Sequence, residues 1–327
     1  MRIKNKKKAI GLLIKARMFN KRVPLAVRWQ LTNKCVLKCG YCNVWNSTKK
    51  ELTFNEISGI LDQMAALGTQ TISFSGGEPM LRNDIFEILA KTKSKGISTE
   101  MNSTGAYIPD KIGKLGDLDF LKISLDGSEK VHNLMRGNGA YKIAIEAASA
   151  AKANNLNFIF TTTLTKFNLG EIGFLCNLAK EYGAMVAFQP IKNIYRGIKD
   201  ISHLTPAPGE FKDTVNELIR IKKHDGSCMR NSLIGLKHIY DWPQYKKINC
   251  WAGKIFCILD TDGTLMPCDR ISYNSKLPNC AEIGFEDAFS VLPKVYCGGC
   301  GFCGPLELNY LMDFKFNVFN SIKRILY

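Results

Sequence analysis

The sequence predicts an α/β fold, a partial (β/α)6 TIM-like barrel followed by a small cysteine-rich C-terminal domain, and three observations predict it. From residue 24 to about 190, short apolar β-rich runs alternate with stretches of helical period, the pattern of a parallel sheet covered by helices. The segments "TNKC", "GGEP", "NSTG" and "DG" fall directly after successive apolar runs, at the strand ends where sites collect in such folds. After about residue 225 the rhythm gives way to Cys-, Gly- and Pro-rich hairpin signals such as "ILDTDGTLMPC".

Taken in order, the strand candidates are 25–31, 71–75, 97–101, 120–125, 157–164 and 185–191. Helix candidates at 53–67, 82–95, 108–115, 139–154, 168–182 and 208–223 follow them in turn. The first helix opens with Thr53 and Glu56 in the spacing of a capping box. Six such units are too few for a closed eight-stranded barrel and suit an open one. The expected organisation is a basic arm over 1–22, the barrel over 23–235, a cysteine-supported domain over 236–311 and an amphipathic helix over 312–327. In that last helix Met312, Phe316, Phe319, Ile322 and Leu326 recur at intervals of three or four.

A chain of 327 residues with 46% hydrophobic and 23% charged residues reads as globular, and no apolar run approaches the ~20 residues of a membrane span. The apolar stretch "AIGLLI" near the start is broken by Lys15 and Arg17 and lacks a cleavage site, so no secretion signal is read. Twelve cysteines without such a signal point to reduced thiols and a cytoplasmic setting. The net charge of +16 is concentrated early, with fourteen Lys or Arg in residues 1–50 and the first acidic residue at Glu51. Such a field attracts polyanions. One reading places the basic arm and the C-terminal helix against an anionic membrane at its inner face; the plainer one makes them a solvated, partly disordered arm and a helix docked on the barrel. Nothing reads as a nucleic-acid module.

"CVLKCGYC" sets Cys35, Cys39 and Cys42 at C-x3-C-x2-C with no fourth Cys or His before His132. Structural zinc takes four protein ligands, and thiolates are also the ligands of iron–sulfur clusters. Three thiols would leave one iron of a cubane open to an amine and a carboxylate. The motif resembles the signature of the radical S-adenosylmethionine (radical SAM) superfamily, and the resemblance extends to about residue 190. It implies a 4Fe-4S cluster on Cys35, Cys39 and Cys42, and an open iron that binds S-adenosyl-L-methionine. It further implies reductive cleavage to a 5′-deoxyadenosyl radical that abstracts a substrate hydrogen. "SFSGGEPML" looks like the family's Gly-Gly-Glu-Pro element, so Gly76, Gly77 and Glu78 are expected to receive the cosubstrate's ammonium group. The same resemblance assigns Asn102, Ser103 and Ser124 to hydrogen bonding on the ribose and substrate side, and Arg136 to the cosubstrate carboxylate.

Cys250, Cys268, Cys297, Cys300 and Cys303 resemble the C-terminal extension called SPASM, or its shorter form twitch, which holds auxiliary four-iron clusters. Cys250, Cys268 and two of the last three would complete one closed 4Fe-4S cluster. The run C-x2-C-x2-C with no later cysteine departs from the two-cluster pattern, so one auxiliary cluster is expected, with Cys257, Cys280 and the spare thiol leaving room for a second. A zinc knuckle is the plainer alternative. Cys176 reads as a buried helix residue, and Cys228 is considered for a hydrogen-donating thiol. Asp260, Asp262 and Asp269 are candidates for a base, though a turn explains Asp262 more simply. His132, His203, His224 and His238 show no metal spacing and read as surface or packing residues.

These motifs imply a radical enzyme supplied with electrons by a donor such as flavodoxin or ferredoxin. The resemblance favours a peptide or protein substrate, because the SPASM subgroup often acts on one. The chain begins its barrel by residue 24, without a module that grips leader peptides. A lipid, sugar or cofactor precursor is the alternative substrate, and a zinc-dependent nucleic-acid-binding protein is the reading outside enzymology.

Overall fold

The computed structural model describes residues 6–191, 200–297 and 299–313. A helix, α1 (Lys6–Met18), precedes β1 (Ala26–Thr32), and then strand and helix alternate: α2 (Phe54–Ala66), β2 (Thr71–Gly76), α3 (Ile85–Ser94), β3 (Ser98–Ser103), α4 (Ile108–Lys111) and β4 (Phe120–Ser124). Two helices follow β4, α5 (Glu129–Arg136) and α6 (Ala140–Ala153). Next come β5 (Phe158–Leu164), α7 (Ile172–Glu181), β6 (Met185–Pro190), α8 (Pro208–His224) and α9 (Leu233–Ile239). The C-terminal part contributes a hairpin, β7 (Phe256–Leu259) and β8 (Leu265–Met266), then α10 (Cys280–Ile283), α11 (Phe285–Ser290) and α12 (Cys303–Met312).

The sheet runs β6-β5-β4-β3-β2-β1-β7-β8, parallel throughout except for the β7/β8 hairpin. The six parallel β/α units form the open, partial barrel that the alternation predicts. The hairpin joins this same sheet, because β7 pairs in parallel with β1 from Ala26↔Phe256 to Trp29↔Leu259. The sheet therefore continues past residue 235, and α9 spans that position.

Alternation along the strands divides two environments. Val27, Trp29 and Leu31 of β1, Ile72 and Phe74 of β2, Met101 of β3 and Leu121 and Ile123 of β4 join the main core with the apolar faces of α2, α3 and α7. The alternate residues, among them Arg28, Ser73, Glu100, Asn102, Lys122, Ser124, Thr161 and Gln189, line a cavity of about 890 Å³. Thr53 caps α2 as its sequence promises, with its hydroxyl accepting from Glu56 N while the Glu56 carboxylate accepts from Thr53 N.

Residues 6–18 are helical, whereas the sequence reads the segment as part of a partly disordered arm. Ala9 and Ala16 pack in a second core with Trp251, Phe256 and Met312, and the Arg17 guanidinium lies 5.6 Å from the Trp251 ring centroid. Small side chains on one face let the helix approach closely, a signal too weak to stand out in a lysine-rich segment. Ile10, Ile14 and Met18 remain exposed. The predicted helix over 312–327 lies outside the described residues after Asp313. No helix among the described residues is long and apolar enough to cross a membrane.

Candidate active site

The loop between β1 and α2 carries the cysteine triplet, and both its ends are tied down. Glu51 Oε1 accepts from Thr32 Oγ1 (2.6 Å) and Asn33 N (2.9 Å), and Asn33 Nδ2 donates to the Lys49 carbonyl. Arg82 donates to the carbonyls of Leu31 and Leu52. Lys49 ion-pairs with Asp260 (3.1 Å) and Asp262 (2.8 Å), which fastens the loop to the β7/β8 hairpin. Two of the three base candidates are thus engaged by Lys49, and Asp269 pairs with Arg28.

Cys35, Cys39 and Cys42 all line the cavity. Burial pushes the Cys35 thiol up to about 11, and the neighbouring Cys39 and Cys42 add to the effect. Burial also raises Cys39, opposed by the nearby Arg136 guanidinium. Cys35 and Cys39 resist ionisation when alone and both feel Cys42, which fits a cationic iron–sulfur cluster that would compensate the thiolate charges and release the protons on binding. Among the described residues no three His, Cys, Asp or Glu side chains converge as ligands of a single metal ion. Thiols on separate irons of a cubane need no such point of convergence.

The Gly-Gly turn after β2 meets the cysteine loop backbone to backbone. Gly77 N donates to Thr32 O (2.7 Å) and Glu78 N to Lys34 O (2.8 Å). Gly76 has φ +122°, and a Cβ there would overlap the Thr32 carbonyl oxygen; one on Gly77 would overlap that of Lys34. Gly77→Ala is therefore expected to cost about 1–3 kcal/mol or more and to weaken retention of S-adenosylmethionine. Urea melts and equilibrium dialysis check this, and wild-type values in both would overturn the close-approach argument.

Gly76, Gly77, Ser103 and Thr104 line the cavity, while Glu78 is fully buried behind them. Its carboxylate accepts from Ser103 Oγ (3.0 Å), Thr104 N (2.7 Å), Thr104 Oγ1 (2.6 Å) and Met80 N (3.2 Å). Burial raises its pKa, opposed by these hydrogen bonds. In this arrangement Glu78 is a positioning residue that holds the turn after β3. Asn102 lines the cavity and donates to Ser73 Oγ and the Phe74 carbonyl; Ser124 lines it further along.

Arg136, at the end of α5, is 8% exposed and donates from Nε to Asp126 Oδ2 at 2.6 Å. Asp126 also accepts from Tyr41 Oη (2.7 Å) and Thr163 N (2.9 Å), and its own N–H donates to His132 Nδ1. Burial opposes ionisation of Asp126, yet the Arg136 guanidinium and the hydrogen bonds from Arg136 and Thr163 hold its carboxyl below the usual range. Burial, followed by Arg136, lowers His132 to about 4, so it is a neutral packing residue. The sequence places the "DG" of "KISLDG" at a strand end where sites collect but gives Asp126 no role of its own. Its signal is an acidic residue at a strand end, ten residues before Arg136.

The second cysteine group lies beside the same cavity. Cys250 and Cys268 act on the Cys300 thiol, and Cys297 acts on Cys250. Cys303 stands apart, because at the start of α12 its thiol donates to the Phe188 carbonyl of β6 and accepts from Asn231 Nδ2. Cys257 and Cys280 are buried in the core. Cys176 and Cys228 are buried together against α7. Cys228 is fully buried and outside the cavity lining, which removes the access that a hydrogen-donating thiol requires. His238 packs between Tyr245 and Tyr310, and His203 and His224 are exposed.

A parallel barrel that gathers three thiols at strand ends, over a large cavity with polar and charged groups from alternate strand positions, defines a cofactor-dependent enzyme. Residues 29–179 match the family model described as Radical SAM superfamily: the chain carries a radical SAM domain and is an enzyme whose reaction is radical-based. The mycofactocin maturase MftC of Mycolicibacterium smegmatis is 24% identical over 301 residues, covering 87% of this chain and 76% of that protein. The AdoMet-dependent heme synthase of Methanosarcina barkeri is 28% identical over 310 residues, covering 86% and 88%. Streptococcus suis SuiB, solved with its precursor peptide SuiA, superposes with a TM-score of 0.69 at 16% identity, covering 86% and 68%.

Proposed function

We propose that this protein is a peptide-modifying maturase that uses an open 4Fe-4S cluster on Cys35, Cys39 and Cys42 and an auxiliary 4Fe-4S cluster on Cys250, Cys268, Cys297 and Cys300. The observation that carries the reading is one cavity running from the triplet to Cys303 at the edge of the second cysteine group. With S-adenosyl-L-methionine bound and an electron delivered by a flavodoxin- or ferredoxin-type donor, the first cluster supplies a 5′-deoxyadenosyl radical that takes a hydrogen from substrate. The chain's own residues orient and enclose. Gly76 and Gly77 give backbone access to the cosubstrate's amino group, with Glu78 fixing Ser103 and Thr104 beside it. Arg136, anchored on Asp126, faces the carboxylate, and Asn102 and Ser124 offer polar contacts deeper in the barrel. A maturase relative, and a likeness to a barrel solved with its precursor peptide, support the peptide substrate. The heme synthase relative favours the second reading, a cofactor precursor.

Protein purified anaerobically is expected to be brown, with about eight iron atoms per chain, and to form 5′-deoxyadenosine from S-adenosylmethionine. Co-expression with short peptides encoded beside its gene should give one with a changed mass. A colourless, zinc-loaded protein after anaerobic reconstitution overturns the enzyme chemistry. Deoxyadenosine formation accompanied by a modified tetrapyrrole, and by no modified peptide, overturns the peptide reading alone.

A further inference from the structure

Among the described residues, six cationic side chains line the cavity: Arg17, Arg28, Lys122, Arg136, Arg230 and Arg270. Arg28 pairs with Asp269, Lys122 with Glu100 and Arg136 with Asp126, while Arg17 stacks on Trp251. For Arg230 and Arg270, no carboxylate of a described residue forms an ion pair with either. Arg230 lies 5.0 Å over the Phe120 ring and Arg270 5.0 Å over the Phe302 ring. Arg270 Nε is buried without an acceptor among the described residues. A ring supports the guanidinium face and leaves the N–H edge free to receive a planar anion.

The backbone at Arg230 is held in place, and Arg270 is placed by its ring contact. Arg230 N donates to the Val186 carbonyl, and the adjacent Asn231 clasps Phe188 of β6 through both its N–H and its carbonyl. Arg270 follows Cys268 and Asp269, and its charge reaches the Cys303 thiol. Two lining carboxyls act on Arg230 at longer range, Glu100 first and then Glu307: Glu100 is engaged by Lys122, and one Glu307 oxygen accepts from Ser232 N while burial raises its pKa. Leaving two buried-edge guanidiniums without a carboxylate in ion-pair contact costs stability, and a ligand that supplies that contact recovers it.

We propose that Arg230 and Arg270 form an anion site that takes a carboxylate of the substrate, from an acidic side chain or a peptide C-terminus, beside Cys303. The proposal rests on the reading of this cavity as the substrate chamber of a peptide-modifying enzyme. The fork of donors on each guanidinium matches a carboxylate in two-point contact, which a neutral amide cannot reproduce.

The test uses the anaerobically purified holoenzyme and two pairs of tripeptide probes. One pair is acetyl-Ala-Glu-Ala amide against acetyl-Ala-Gln-Ala amide; the other is acetyl-Ala-Ala-Ala with a free C-terminus against its amide. Calorimetry should show one acid binding about tenfold or more tightly than its neutral partner, the scale of a charge-assisted hydrogen bond. The pair that shows the preference identifies the source of the carboxylate. The preference should disappear in Arg230→Gln/Arg270→Gln, survive in part in the charge-keeping Arg230→Lys/Arg270→Lys and persist in Lys142→Gln, a control on an exposed helix face. Equal binding of acid and amide in the unmodified protein up to millimolar concentration overturns the proposal, as does a preference that survives the double Gln variant. Deoxyadenosine formation in the same preparation reads the radical chemistry separately. Its presence without a carboxylate preference overturns the anion site alone; its absence with the preference retained supports the site and removes the radical reading.

Discussion

Changing Cys35, Cys39 and Cys42 together to Ala is expected to reduce 5′-deoxyadenosine formation below detection while leaving the iron held by the C-terminal thiols, about half of the total. The expectation follows from the separation of the two thiol sets. The triplet sits on the loop between β1 and α2, whereas Cys250, Cys268, Cys297 and Cys300 belong to the segment around the hairpin and the approach to α12. The loop keeps its anchors in the variant, because Glu51, Arg82 and Lys49 hold it independently of the thiols. Iron and sulfide counting, with chromatographic detection of deoxyadenosine, decides the matter. Persistent cleavage in the triple variant would place that chemistry elsewhere, and loss of all iron would show that the two sets assemble together.

The second large effect is expected at Asp126. Asp126→Ala should lower stability by about 3–5 kcal/mol, the scale for removing one partner of a buried ion pair. Arg136 would remain buried without its counter-ion, and Tyr41, which lies between two triplet cysteines in sequence, would lose its hydrogen bond. The sign of the pH dependence follows from the depressed native pKa of Asp126. Its contribution is complete above the unfolded value of about 4 and is lost as pH falls below that toward the folded value. Urea melts between about pH 6 and pH 3 should therefore be less steep in pH for Asp126→Asn than for the unmodified protein. Identical pH slopes, or a cost below about 1 kcal/mol for Asp126→Ala, would show that the pair is not the keystone of this corner.

Most strand positions were legible because two signals coincide in each: apolar enrichment for the outward face, and a polar or glycine motif at the C-terminal end. The predicted strands agree with β1 to β6 to within two residues at either end. Helix α5 was missed because only eight residues separate Ser128 from Gly137, too few for a helical period to establish itself. The placement of β7 was not legible either. Phe256, Cys257, Ile258 and Leu259 are all buried, so the run carries no alternation to say which neighbour it joins. Within the site, motifs revealed groups that act through local sequence, such as the triplet and the two glycines. Asp126, Lys49, Arg230 and Arg270 take their roles from partners, or a lack of partners, across the fold; Lys49 and Asp260 are 211 positions apart. No window of sequence contains such relations.

The pairing of β1 with β7 also bears on the order in which the molecule can be built. As the chain emerges, β1 gains its β2 neighbour first, but its other edge stays unpaired until residues 256–259 leave the ribosome. Through that interval an apolar strand next to the cysteine loop exposes open N–H and C=O groups, a template for pairing with other chains. Closing a loop of that span is slow relative to local β/α assembly. The lysines and arginines crowded into the first fifty residues flank that edge in sequence, and like charge of this kind opposes association between chains. The early charge thus has a use during synthesis that is separate from any contact made by the finished enzyme.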